Sequence, residues 1–104
     1  MGYKVIAKLD QIIEGKIHSF STRNFDIALV NRNGSIYAFE DVCSHDGGNI
    51  SDGVLDGEKV ICPRHFAEFD IVSGQPLCMP ATKAIEVFPV RILDGMVEVL
   101  LEEN

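Results

Sequence analysis

Residues 43–65 read CSHDGGNISDGVLDGEKVICPRH, two short segments rich in metal-binding side chains around a strand–turn–strand pattern. Cys43-Ser44-His45 opens the stretch and Cys62-Pro63-Arg64-His65 closes it, taking up two of the three cysteines and two of the three histidines in the chain. Soft ligands gathered in this way point to a metal centre. A Cys₂His₂ set suits tetrahedral zinc, but zinc fingers usually pair Cys with Cys and His with His, the second pair on a helix. Here each segment brings one of each. That mixture suits a two-iron centre in which two thiolates hold one iron and two imidazoles the other. Between the segments, Val54-Leu55 and Lys59–Ile61 flank Asp56-Gly57, so a short hairpin leads directly into Cys62.

Outward from this stretch the pattern remains β. Phe25–Arg32 and Ser35–Glu40 are rich in β-branched and aromatic residues around Asn33-Gly34, a dipeptide that accepts positive φ at both turn positions. Ala84–Leu93 and Met96–Leu101 repeat the scheme around Asp94-Gly95, with Val97, Val99 and Leu101 alternating against Glu98 and Leu100. Tyr3–Leu9 and Lys16–Ser21 read as two further strands, leaving only Asp10–Glu14 as a possible helical turn. Short strands punctuated by Gly turns argue for an all-β chain, an antiparallel β sandwich or barrel.

Composition limits the function. The 104 residues fit one domain, long enough for a core but near the size at which a metal centre helps to hold it. Nine basic against sixteen acidic residues give a net charge of −7, which argues against nucleic-acid binding. No apolar run approaches a membrane span, and Met1-Gly2-Tyr3-Lys4 does not open a secretory signal. Ile6 stands where a myristoylation signal would need Ser or Thr. The expectation is a cytoplasmic protein whose three cysteines serve metal binding rather than disulfides. Asp46, Asp52, Asp56, Glu58, Glu68 and Asp70 lie in or near the ligand-bearing region, as a solvated surface or as an acidic rim for basic partners.

The chain resembles the Rieske-type ferredoxins. The resemblance runs through Cys43-Ser44-His45-Asp46-Gly47-Gly48, Ser51-Asp52-Gly53, Cys62-Pro63-Arg64-His65, Phe69-Asp70, Ser73-Gly74 and Pro80-Ala81, and the flanking strands extend it over almost the whole chain. It departs at Phe66, where the family usually has Gly, which bears on the backbone path of the second ligand segment. The resemblance implies a single Rieske domain over residues 1–104, with a β base from the first and last thirds and a small inserted cluster-binding subdomain at about 41–82. It implies one [2Fe-2S] cluster per chain, with Cys43 and Cys62 on one iron and His45 and His65 on the other.

Four protein ligands leave no open coordination position, so the expected role is one-electron transfer rather than catalysis. By resemblance the donor is a flavin-containing reductase and the acceptor a terminal oxygenase of aromatic-ring hydroxylating type, served by a monomer. The alternatives are an electron-transfer small subunit of another redox enzyme, such as nitrite reductase, or a zinc-binding interaction module. Replacing two thiolates by imidazoles removes two negative charges and raises the potential by on the order of 0.3 V relative to an all-cysteine cluster. In the high-potential relatives of cytochrome bc complexes, hydroxyl donors follow the second His and an extra Cys in each loop forms a disulfide. The matching positions here are Ala67, Phe69, Gly48 and Arg64, which implies the low-potential branch. Cys78 reads as a small buried apolar residue rather than a ligand or redox thiol, and His18 as a surface or half-buried structural residue.

Overall fold

The computed structural model describes residues 2–44, 46–64, 66–79, 81 and 83–102. Eleven strands follow in order: β1 Gly2–Lys8, β2 Ile17–Ser21, β3 Asp26–Arg32, β4 Ser35–Glu40, β5 Val54–Asp56, β6 Lys59–Ile61, β7 Glu68–Asp70, β8 Pro76–Cys78, β9 Val87–Phe88, β10 Val90–Leu93 and β11 Met96–Leu101. The helical content among these residues is two 3₁₀ turns, Leu9–Gln11 and Ile50–Asp52, and the first occupies part of the expected turn at Asp10–Glu14. All strand pairs within the sheets are antiparallel, arranged as three sheets of order β1-β11-β10, β2-β3-β4-β9 and β5-β6-β7-β8.

The middle layer is decided by β3. Ile27, Ala28, Leu29 and Val30 form a continuous apolar run, and all four are buried. Successive side chains on a strand point to opposite faces, so Ile27 and Leu29 meet Ala7, Val97, Val99 and Leu101 on one side. Ala28 and Val30 meet Phe39, Ile50, Val60, Phe69 and both Cys43 and Cys62 on the other. Each fully buried aliphatic side chain contributes about 2 kcal/mol. The β2-β3-β4-β9 sheet therefore separates two cores, and Cys43 and Cys62 belong to the second.

The hairpins expected at Asn33-Gly34, Asp56-Gly57 and Asp94-Gly95 all form. Asn33 and Gly34 have φ of 53° and 88°, Asp94 and Gly95 of 52° and 75°, the left-handed pair that a tight hairpin turn requires. The expected strand at Ala84–Leu93 is corrected. It is two strands broken at Pro89, with β9 pairing to β4 and β10 pairing to β11. Proline has no amide to give to a ladder, so the chain changes sheets there. Phe88 is fixed at the crossing by an edge-to-face contact with Phe25, ring centroids 5.6 Å apart.

The third sheet spans 54–78, between the first ligand segment and the return to β9. Its return is close-packed: a side chain at Gly74, φ 77°, would bring a Cβ within 2.3 Å of the Ile85 carbonyl oxygen, and Ile85 N donates to Gly74 O at 2.9 Å.

Candidate metal centre

The first ligand loop leaves β4 at Asp41, which is 1% exposed and carries a carboxylate with four donors around it. Ser51 gives its amide at 2.7 Å and its hydroxyl at 2.5 Å, Ser19 its hydroxyl at 2.8 Å and Asn49 its side-chain amide at 3.1 Å. Burial pushes the Asp41 pKa up, but the hydrogen bonds from Ser51, Asn49 and Ser19 outweigh it and hold the group below the usual carboxylate range. A charged, fully bonded anchor thus ties the loop to β2 and to its own far end.

Two residues on, the backbone folds tightly. Cys43 N donates to Gly48 O at 2.7 Å, and Gly47 N, at φ 77°, donates back to Cys43 O at 2.8 Å. The second loop uses the same plan. Cys62 N donates to Ala67 O at 2.8 Å, and Phe66 N, at φ 58°, donates to Cys62 O at 3.0 Å. The fifth residue of each loop is left-handed, glycine in one and phenylalanine in the other. Phe66 thus takes the same left-handed conformation in the second loop as Gly47 in the first, with its side chain 70% exposed.

These turns aim the two cysteines at one another. Cys43 and Cys62 are both 0% exposed and neither is in a disulfide. Their sulfurs and a carboxylate oxygen of Asp46 all lie within 4.8 Å of one another. Two buried thiols outside any disulfide, converging from separate loops, fit a shared iron. Asp46 completes the trio spatially, but its carboxylate is engaged elsewhere. Arg64 Nε donates to its Oδ2 at 2.6 Å and Gly48 N to its Oδ1 at 2.9 Å, which with the Arg64 charge hold its pKa down to about 2. His45 and His65, the expected imidazole ligands, lie outside the described residues, as do Pro80 and Thr82.

Ala67 and Phe69, at the positions where a hydroxyl is missing, are both fully buried and line the site with carbon. Cys78 is corrected: it is exposed, at the end of edge strand β8, with its Sγ 3.8 Å from Phe66 O. His18 is half-buried as expected and accepts from Ile13 N at 3.0 Å. Most of the acidic residues read as a rim are engaged within the chain. Glu58 pairs with Arg32 at 3.2 Å, Glu68 with Lys59 at 2.8 Å, and Asp46 and Asp52 with Arg64 at 2.6 and 3.7 Å. Asp70 accepts the amides of Val72 and Ser73 at 2.8 and 2.9 Å. Sequence reading missed Arg64, whose only signal was a long cationic side chain inside a ligand motif.

The Rieske [2Fe-2S] domain family matches residues 2–89. The ferredoxin component of a naphthalene 1,2-dioxygenase/salicylate 5-hydroxylase system from a Ralstonia species is 38% identical over 96 residues, covering 92% of each chain. The solved ferredoxin of carbazole 1,9a-dioxygenase from Nocardioides aromaticivorans superposes with a TM-score of 0.92 at 25% identity, over 98% of this chain and all of that one. A chain in a complex of reduced oxygenase and oxidised ferredoxin from carbazole 1,9a-dioxygenase superposes with a TM-score of 0.88 at 28% identity, over 93% of this chain and 91% of that one. With the match spanning 2–89 and two buried thiols meeting at its loop tips, the chain belongs to the Rieske [2Fe-2S] domain family.

Proposed function

We propose that this chain is the ferredoxin of a multicomponent oxygenase, taking single electrons from a flavin-containing reductase and delivering them to a terminal oxygenase that hydroxylates aromatic rings. The observation that carries the reading is the convergence of Cys43 and Cys62, buried and in no disulfide, within 4.8 Å in a chain similar over nearly its full length to ferredoxin components. A bound Rieske cluster supplies a one-electron couple with no open position for a substrate. The protein's part is to hold and shield. Cys43 and Cys62 would ligate one iron and His45 and His65 the other, within a unit at about 41–82. The buried carbon of Ile50, Ala67 and Phe69 excludes water on the inner side. Without hydroxyls at Ala67 and Phe69 there are fewer donors for the sulfurs, which favours a potential near the low end of the Rieske range, roughly −150 mV.

The carrier is proposed to act as a cytoplasmic monomer. None of the three cysteines is in a disulfide, and among the described residues no helix is long and apolar enough to cross a membrane.

Purified protein is expected to carry about two irons and two acid-labile sulfides per chain. Cys43→Ser and Cys62→Ser are expected to lose the native visible and EPR spectra, and the exposed Cys78→Ser to keep them. Stoichiometric zinc without sulfide in native protein would overturn the reading.

A further inference from the structure

Arg64 does more than occupy the space between Cys62 and His65. Its guanidinium reaches across to the first loop, donating from Nε to Asp46 Oδ2 at 2.6 Å and from Nη2 to Asn49 O at 3.1 Å, with Nη1 in a looser ion pair with Asp52 Oδ2 at 3.7 Å. Nη2 also lies 3.1 Å from Cys62 Sγ. The seat for this group is Gly48. A Cβ there would stand 2.4 Å from the guanidinium carbon and 2.6 Å from Nε, so only a residue without a side chain lets the plane lie down.

The charge logic runs the same way. Asp46 Oδ2 is 3.8 Å from Cys62 Sγ, a contact that the thiol can make as a donor and that a ligating thiolate would turn into repulsion between two anions. A guanidinium donating to both anions removes that conflict. Its planar fork can do so while holding a backbone carbonyl of the other loop, which a lysine ammonium cannot reproduce.

We propose that Arg64 is a non-covalent staple between the two ligand loops and at the same time a hydrogen-bond donor to the sulfur of Cys62, with Gly48 as its seat and Asp46 as its counter-charge. This positioning role rests on the reading of Cys62 as a cluster ligand. It makes the staple a determinant of two measurable properties, how long the loops retain the cluster and how readily the centre accepts an electron.

The test measures visible-absorbance loss in the presence of an iron chelator, and the midpoint potential at neutral pH, on cluster-loaded protein. Arg64→Leu is expected to lose its cluster about tenfold faster, equivalent to about 1.4 kcal/mol of barrier, and to shift its midpoint downward because a positive donor to sulfur is gone. Asp46→Asn is expected to lose its cluster faster as well but to shift its midpoint upward, since a negative charge is removed while Arg64 stays. Opposite shifts in potential with the same sign in retention are what a merely structural contact would not give.

Arg64→Lys is expected to keep much of the potential and little of the retention. If Arg64→Leu cannot be loaded, Asp46→Asn and Arg64→Lys carry the comparison. Arg91→Leu, which breaks the Arg91–Glu98 pair of the base, is expected to change neither property. Retention of the cluster at the wild-type rate in Asp46→Asn and Arg64→Lys, or potentials moving in the same direction in Arg64→Leu and Asp46→Asn, would overturn the proposal. A wild-type protein without iron and sulfide would instead overturn the reading on which it rests.

Discussion

From Cys43 to Gly48 and from Cys62 to Ala67 the backbone closes in the same way, yet the two loops are secured by different chemistry. The first hangs from a buried carboxylate, Asp41, and takes its left-handed residue as Gly47. The second is continuous with strands β6 and β7 and takes its left-handed residue as Phe66. A loop that leans on a buried polar anchor is weakened when the anchor is removed. One clamped between paired strands can tolerate a conformationally costly residue. The left-handed position costs a non-glycine residue roughly 1–2 kcal/mol, and the pairing of Val60 with Phe69 and of Ile61 with Glu68 holds the ends of the second loop in place against that cost.

The largest effect is expected at the anchor. Asp41→Ala strands the Ser51 amide and the Ser19 and Asn49 donors, at a cost of about 3 kcal/mol. A urea titration followed by circular dichroism should show the midpoint falling at constant slope. A loss below about 1 kcal/mol would mean that water replaces the carboxylate and that the first loop has no special anchor.

Exchanging the left-handed residues should give smaller and opposite effects. Among the described residues beyond its chain neighbours, Gly47→Val meets no atom within 4 Å of its Cβ, so its expected cost of about 1–2 kcal/mol is conformational. Phe66→Gly relieves the same cost but makes the unfolded chain more flexible, leaving a net gain of no more than about 1 kcal/mol. Equal destabilisation by both changes would show that the exposed Phe66 ring contributes a contact that outweighs its backbone.

Acid should produce the smallest difference, and on the side of the second loop. The amides of Ser73 and Val72 hold the Asp70 carboxyl below its usual range of about 3.8, with hydrogen bonding from Ser73 the leading cause. A depressed carboxyl stabilises the fold fully above the unfolded value, and that contribution fades as pH falls through the folded one. Asp70→Asn keeps an acceptor oxygen without the titration. Its urea midpoint should be lower than wild type at pH 7 but should fall less between pH 5 and 3. Parallel curves for the two proteins would remove Asp70 from the account.

Much of this architecture was legible from local chemistry. Asn33-Gly34 and Asp94-Gly95 accept positive φ and their flanking runs alternate, so both hairpins could be placed from sequence. The segments at Cys43 and Cys62 named their own thiols because the soft ligands are concentrated there. What sequence obscured depends on long-range pairing. Ala84–Leu93 is apolar enough for one strand, but Pro89 divides it between two sheets. Cys78 looked buried by residue type and is exposed because β8 is an edge. Gly48 and Arg64 marked where a disulfide is missing, while the guanidinium that bridges the loops became visible only once they were brought together. The acidic residues could be counted from sequence, but their pairing to Arg32, Lys59 and Arg64 could not.

The double-sided burial of β3 bears on how such a protein matures. The core on its Ile27 and Leu29 side contains no cysteine, whereas the core on its Ala28 and Val30 side contains Cys43 and Cys62. On the proposed reading of Cys43 and Cys62 as ligands, an apoprotein is expected to complete the first core before any iron arrives, with the second finished by assembly of the centre. Stripping the metal should loosen one face of the sheet while the other stays shut. Amide exchange should then accelerate through residues 43–78 and remain slow in β1, β3 and β11.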